Sequence, residues 1–336
     1  MVLKQLDSFP QHLLDTPAQE IYQTLPQPTL IHVQGENPQP IFISCLLHGN
    51  EVTGWQAVQQ LLLRYAEKPL PRSLSILVGN VEAARYGARR LDEQPDYNRI
   101  WPTATVSGDS EPHQMAAQVY EIMAAKRPLL AIDIHNNTGV NPHYACINFL
   151  DNAFFHVARL FSRIMVHFTY PEGVLSQSFA SFCPSITIEC GLVGSAHSVE
   201  HALTFLDSCL HLPEIPQKLL CDEDIDLFEN FATMRIVDGV DFGFGDPHKA
   251  LSLLSNWEQY NFSEVPAGTR LADLATEQWP LLSLTSNDGE ELFDEFFERK
   301  DNAIISKRNL RPSMFTCNID VIKKDCLCYL MGRIRM

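Results

Sequence analysis

Two histidines and a glutamate stand where they can share one cation. In His48-Gly49-Asn50-Glu51 an imidazole and a carboxylate lie three residues apart, at the point where an apolar run ends. A nitrogen and an oxygen ligand suit zinc, whose catalytic sites use three protein ligands and keep a fourth position for water. The pattern alone is weak, because a chain with 12 histidines meets HxxE about once by chance. Support comes from Asp133-Ile134-His135-Asn136, again closing an apolar run. His135 can reach the same crevice. Asp133, two residues earlier on the same strand face, can accept the imidazole N–H and orient the ring. The expected centre is one Zn2+ per chain on His48, Glu51 and His135.

A second match, His197-Ser198-Val199-Glu200-His201, also fits the H-x-x-E-H order of some zinc proteases. It begins directly after a glycine-containing loop and no distinctive third ligand follows, so it reads as the solvated face of a helix. Hydrolysis at zinc needs a base as well. Glu189 follows the run Ser185-Ile186-Thr187-Ile188 and precedes Cys190-Gly191, so a carboxylate emerges at a strand end in apolar surroundings. A desolvated glutamate beside an activated water is a sensible general base. Arg89 and Arg90, followed by Asp96-Tyr97-Asn98-Arg99, concentrate guanidinium and amide donors in a turn-rich segment. Such groups bind a carboxylate bidentately or stabilise a developing oxyanion.

The elements that must carry these residues alternate from about residue 28 to 210. The runs 41–47, 73–80, 129–135 and 185–190 read as buried strands, and 51–68, 115–126 and 198–210 as helices. Val52, Trp55, Val58 and Leu62 share one helical face. This is an α/β pattern: a mixed, mostly parallel sheet flanked by helices, with the chemistry at strand ends, where open α/β sheets bind ligands. The proline- and charge-rich stretch 211–224 is the linker expected between a catalytic α/β domain, 1–212, and a smaller β-rich domain, 213–336. In the latter, MRIVDGVDF, VPAGTRLA, PLLSLTS and IDVIKKDCLCYLMGRI are short and β-leaning.

Composition narrows the partners. With 25 Lys and Arg against 41 Asp and Glu, the net charge of -16 opposes nucleic acid and anionic membranes, and an anionic substrate would need locally placed arginines. No signal-type apolar stretch opens the chain and no window approaches a membrane span, so a cytoplasmic protein is expected. Nine cysteines without disulfide-type spacing read as reduced, partly buried thiols.

Taken together, HGNE, DIHN, DYNR and ITIECG resemble the succinylglutamate desuccinylase and aspartoacylase family, a branch of the zinc metallocarboxypeptidase fold, over roughly residues 40 to 210. The resemblance implies zinc on His48, Glu51 and His135, and a substrate carboxylate gripped by Asn98 and Arg99. It implies Glu189 as base and then as proton donor to the leaving amine, and a β-rich C-terminal domain that narrows the active-site mouth. The family's arginine seven residues before the asparagine of DxNR lands here on Leu91. Arg90, one step away, takes the oxyanion role, with Arg89 as the fallback. Where aspartoacylases carry a substrate arginine ten residues before the catalytic glutamate, this chain has Phe179, which argues against N-acetylaspartate. The implied activity is zinc-dependent hydrolysis of the amide bond of a small anionic N-acyl amino acid, releasing a carboxylic acid and a free amino acid. The alternatives are a metallocarboxypeptidase acting on short peptides and a non-catalytic binder on the same scaffold. A homo-oligomer is compatible with all three.

Overall fold

A computed structural model describes residues 2–335. The chain forms two compact units: one comprises the chain up to Asn136 with His143–Leu227, the other Asn137–Pro142 with Phe228–Arg335. The first unit is a mixed sheet flanked by helices. Its elements are β1 (Lys4–Leu6), β2 (Thr29–Val33), β3 (Asn37–Cys45), α1 (Thr53–Arg64), β4 (Arg72–Val78), α2 (Val81–Arg85), α3 (Glu111–Lys126), β5 (Leu130–Asn137), β6 (Tyr144–Ile147), α4 (Asn152–Phe161), β7 (Ile164–His167), α5 (Leu175–Phe179), β8 (Ser185–Leu192) and α6 (Ala196–Leu210). The strands hydrogen-bond in the order β1-β2-β4-β3-β5-β8-β6-β7. Pairs β1/β2, β3/β4, β3/β5 and β6/β7 are parallel, whereas β2/β4 and β6/β8 are antiparallel.

Central strands covered on both faces need unbroken apolar runs. Ile41, Phe42 and Ile43 of β3 and Leu74, Ile76, Leu77 and Val78 of β4 meet that demand, and all are buried. In α3, Met115, Val119 and Met123 recur every four residues and pack into a core with Phe42, Trp101 and Phe179. Pro112 in the first turn starts this helix, and Arg127 in the left-handed region (φ 46°) ends it. Phe179 has no exposed surface and lies 4.7 Å from Phe42 and 5.6 Å from Trp101 between ring centroids. It is a core residue.

The second unit holds β9 (Asp226–Ile236), β10 (Phe242–Phe244), β11 (Leu251–Leu253), β12 (Arg270–Leu274), β13 (Leu282–Ser286), α7 (Phe293–Phe296), β14 (Phe297–Lys300), β15 (Ala303–Ser306), β16 (Pro312–Ser313), α8 (Ile319–Lys324) and β17 (Cys328–Arg333). Strands β10-β11-β12-β15-β14 form one sheet, and β13 and β17 flank β9 antiparallel. One expectation is corrected: the start of IDVIKKDCLCYLMGRI is helical. The Asn318 side chain accepts the N–H groups of Asp320 and Val321, an N-cap that outweighs the β preference of Ile and Val. The excursion 137–142 is tied into this unit, with Asn261 Nδ2 donating to the Val140 oxygen and Met314 N–H to Asn141 Oδ1.

Among the described residues no helix is long and apolar enough to cross a membrane. The cysteines are free thiols. Phe179→Ala is expected to cost about 3–5 kcal/mol, because a fully buried ring leaves a cavity. The exposed Leu63→Ala should stay within about 0.5 kcal/mol. Denaturant unfolding compares the two, and similar midpoints would show that Phe179 does not support the core.

Candidate active site

The turn between β3 and α1 carries HGNE. Leu46, just before it, sits in the left-handed region (φ 59°), a conformation that turns the chain sharply at the strand end. Its carbonyl oxygen accepts the Asn80 N–H at 2.6 Å. Gly49 has no substitute: a Cβ there would lie 2.2 Å from the Ala84 nitrogen. The Gly49 N–H donates to the Arg89 carbonyl at 3.1 Å, which ties the 87–91 turn to the histidine turn.

His48, Glu51 and His135 converge. Their ligand atoms lie within 4.8 Å of one another and all three residues are buried; they are the one such group among the described residues. His48 Nδ1 and His135 Nδ1 are 3.1 Å apart, and the Glu51 carboxylate closes the triangle at 2.9 and 2.8 Å. The outer nitrogens are committed elsewhere: His48 Nε2 to Asp96 Oδ1 at 2.9 Å, His135 Nε2 to Asp133 Oδ2 at 2.7 Å. A carboxylate only accepts, so each Nε2 carries a proton, and a cation that displaced any proton on the inner side would find each Nδ1 lone pair directed at it. Three inward-facing acceptors with both rings locked from behind are a donor set suited to zinc.

The electrostatics agree. Burial opposes ionisation of Glu51, but His48 and His135 outweigh it and hold the carboxyl well below the usual range. Burial likewise opposes charge on His135, yet Asp133 and Glu51 push its pKa well above that of a free imidazole. Asp96 is held low, against burial, by His48 and Arg89. The carboxylates of the cluster thus favour a positive charge between the rings, which a dication could supply in place of a proton.

Asp96 and Asn136 are the site residues that sequence reasoning left without a role. Asn136 N–H donates to Glu51 Oε2, its Nδ2 donates to the Gly191 oxygen, and its Oδ1 accepts the Thr53 N–H. One residue therefore joins α1, the Glu51 carboxylate and the end of β8, the carboxylate through its backbone and the other two through its side chain. The signal was their placement inside the DYNR and DIHN motifs. Asn98 is buried, with Oδ1 held by the Leu175 N–H and Nδ2 3.3 Å from His135 Nε2. Arg99 leans on its own chain through the Asn98 oxygen, beside Gly173, whose positive φ of 78° and tight contact with the Arg99 oxygen exclude a side chain.

The two neighbouring arginines part company. Arg89 reaches Glu51 Oε1 at 3.3 Å and Asp96 Oδ2 at 3.0 Å. Arg90 turns to the Gln94 carbonyl oxygen at 2.8 Å and does not join the cluster. The physical reason is the Arg89 carbonyl, which is pinned to Gly49 and leaves its side chain over Glu51. Glu189, on β8 opposite Tyr144 of β6, is buried, and burial raises its pKa to about 7, with His135 lowering and Glu51 raising it in turn. It lies in the same field as the cluster.

The rival histidines do something else. His197 and His201 lie on α6, their rings against His143 at 5.3 and 4.5 Å, and His201 Nε2 donates to the Phe161 oxygen.

Similarity to known proteins follows the same geometry. Residues 38–208 match the succinylglutamate desuccinylase/aspartoacylase catalytic domain. A succinylglutamate desuccinylase from Chromobacterium violaceum superposes with a TM-score of 0.57 at 18% identity, covering 91% of this chain and 89% of that one. A succinylglutamate desuccinylase/aspartoacylase from Rhodobacter sphaeroides gives 0.59 at 13% identity, covering 90% and 88%. Murine aminoacylase 3 gives 0.55 at 17% identity, covering 90% and 97%. No curated protein sequence matches the chain. With the domain match spanning half of its length, this chain belongs to the succinylglutamate desuccinylase/aspartoacylase family.

Proposed function

We propose that this protein is a zinc-dependent hydrolase that cleaves the amide bond of a small anionic N-acyl amino acid, releasing a carboxylic acid and a free amino acid. The observation that carries this reading is the buried triangle of two Nδ1 nitrogens and one carboxylate, locked from behind by Asp96 and Asp133 and accompanied by Glu189. His48, Glu51 and His135 would hold one zinc ion per chain, which would supply Lewis acidity towards a carbonyl and lower the pKa of a water molecule. Glu189 takes a proton from the attacking water and returns it to the leaving amine; a carboxyl titrating near about 7 can do both at neutral pH. Arg89 replaces Arg90 as the donor to the developing oxyanion, because its guanidinium is the one at the cluster. Asn98 and Arg99 grip the substrate carboxylate.

Elemental analysis is expected to find one zinc in both the parent and Glu189→Gln, while the variant loses about 10²–10⁴-fold in turnover. A variant working at the parent rate would remove Glu189 as the base. Substrates are read by comparing N-succinylglutamate, N-acetyl amino acids and short peptides, and exclusive peptide cleavage would establish a carboxypeptidase instead. Arg89→Ala should cost about 10²–10³-fold in kcat, and Arg90→Ala only a few-fold; the reverse order would restore Arg90 to the oxyanion.

Glu189 also sets a pH dependence of stability in the metal-free protein. Its carboxyl titrates at about 7 when folded against 4.5 for a free one. A raised pKa contributes stability that is present below pH 4.5 and is lost as the pH climbs through 7. Glu189→Gln has no such loss, so it should match the parent near pH 4.5 and exceed it at pH 8 by about 3 kcal/mol, at about 1.4 kcal/mol per pH unit. Unfolding curves that stay parallel across this range would contradict the assignment.

A further inference from the structure

Arg89 and Asp96 stand at the two ends of one turn-rich segment and meet in an ion pair at 3.0 Å, with the arginine side chain 41% exposed. A pair so open to solvent holds its two side chains only weakly. The segment between them needs another tether, and Gln94 has the contacts of one. Its side-chain Oε1 accepts Asn80 Nδ2 at 2.8 Å and the Leu91 N–H at 3.1 Å, and its Nε2 donates to Glu82 Oε2 at 3.0 Å. Its backbone N–H donates to the Leu91 oxygen, and its carbonyl accepts Arg90 Nη1 at 2.8 Å.

The partners fix which way this amide points, because the Leu91 N–H only donates and the Glu82 carboxylate only accepts. Asn80 is set in turn: its Oδ1 takes the Ala83 N–H at 3.0 Å, which leaves Nδ2 for Gln94. Asn80 is buried, and its own N–H donates to the oxygen of Leu46, the residue whose left-handed turn precedes HGNE. Gln94 is therefore anchored, through one buried asparagine, to the frame that carries His48 and Glu51. Only an amide meets this set of partners. A carboxylate at 94 would face the carboxylate of Glu82, and an apolar side chain would leave the buried Asn80 Nδ2 without an acceptor.

We propose that Gln94 is a positioning residue of the active site: through Asn80 it fixes the 89–96 segment against the histidine turn, so that Asp96 stays on His48 Nε2 and Arg89 stays over Glu51. Both are close along the chain, Asp96 two residues after Gln94 and Arg89 two before Leu91. Arg90 belongs to the same device, since its guanidinium caps the Gln94 carbonyl. The effect of Gln94 on turnover rests on the hydrolytic reading, whereas its effect on the His48–Asp96 contact does not.

Proton NMR of the metal-free full chain can follow two outer imidazole protons, His48 Nε2–H on Asp96 and His135 Nε2–H on Asp133. Gln94→Met should speed solvent exchange of the first about tenfold and leave the second within about twofold, because only one of the two contacts is tethered by the segment. Equal acceleration of both would make Gln94 a general stabiliser, and no change in either would remove it from the site. At saturating zinc, Gln94→Met should lower kcat about five- to tenfold in the parent but less than about twofold in an Arg89→Ala background, since residues acting through one contact are not additive. An equal loss in both backgrounds would sever the link to Arg89. Gln94→Glu should loosen the His48 proton as Gln94→Met does, and adding Glu82→Gln should bring it back to within about twofold of the parent, because donors and acceptors match again. A double variant no tighter than Gln94→Glu would overturn the proposal. A parent that turns over no N-acyl amino acid would count against the hydrolytic reading alone, and the proton measurement would still decide the role of Gln94.

Discussion

Two imidazole nitrogens 3.1 Å apart, closed by a buried carboxylate, cannot persist as bare lone pairs. Something positive has to stand among them, either protons or a cation, and the surrounding structure is arranged around that requirement. Asp96 and Asp133 hold the outer nitrogens, which fixes both ring orientation and tautomer. Asn136 holds the Glu51 carboxylate through its backbone and reaches α1 and β8 through its side chain. A buried set of this kind is stable only while every member is satisfied, because removing one partner leaves a charge without compensation.

Such convergence depends on backbone geometry that few residues permit. The left-handed Leu46 ends β3 abruptly, and Gly49 lets the turn press against Ala83 and Ala84. That contact brings the Arg89 carbonyl within reach of the Gly49 N–H, and so decides which arginine faces the cluster. The turn therefore both carries His48 and Glu51 of the candidate metal group and sorts two adjacent guanidinium groups. In a chain of net charge -16, a single guanidinium placed by backbone hydrogen bonding counts for more than the average field.

Glu189 illustrates the opposite use of burial. Glu51 is also buried, yet two histidines keep it ionised, whereas Glu189 receives less compensation and titrates near neutrality. Two carboxylates in one field are thus driven apart in acidity by their partners, the separation that the proposed roles of Glu51 as ligand and Glu189 as proton carrier require.

The sequence by itself determined the strand-and-helix alternation, the positions of His48 and His135 towards strand ends, and the motif set that marks the family, whereas Glu189, read from the sequence at a strand end, lies within β8. These are local: apolar runs and HGNE- or DIHN-type spacing report on a few neighbouring residues at a time. It did not determine that Arg89 rather than Arg90 turns inward, because adjacent residues share a motif and only the hydrogen bond to Gly49 separates them. Nor did it reveal Asp96 behind His48, a contact across 48 positions. Phe179 marked a departure from aspartoacylases, while its place in an aromatic core came from packing against Phe42 and Trp101. The helical start of IDVIKK turned on an asparagine cap that propensity alone undervalues. Tertiary structure decided these points because each depends on which groups meet across the fold, or on which backbone donors are left for a side chain to satisfy.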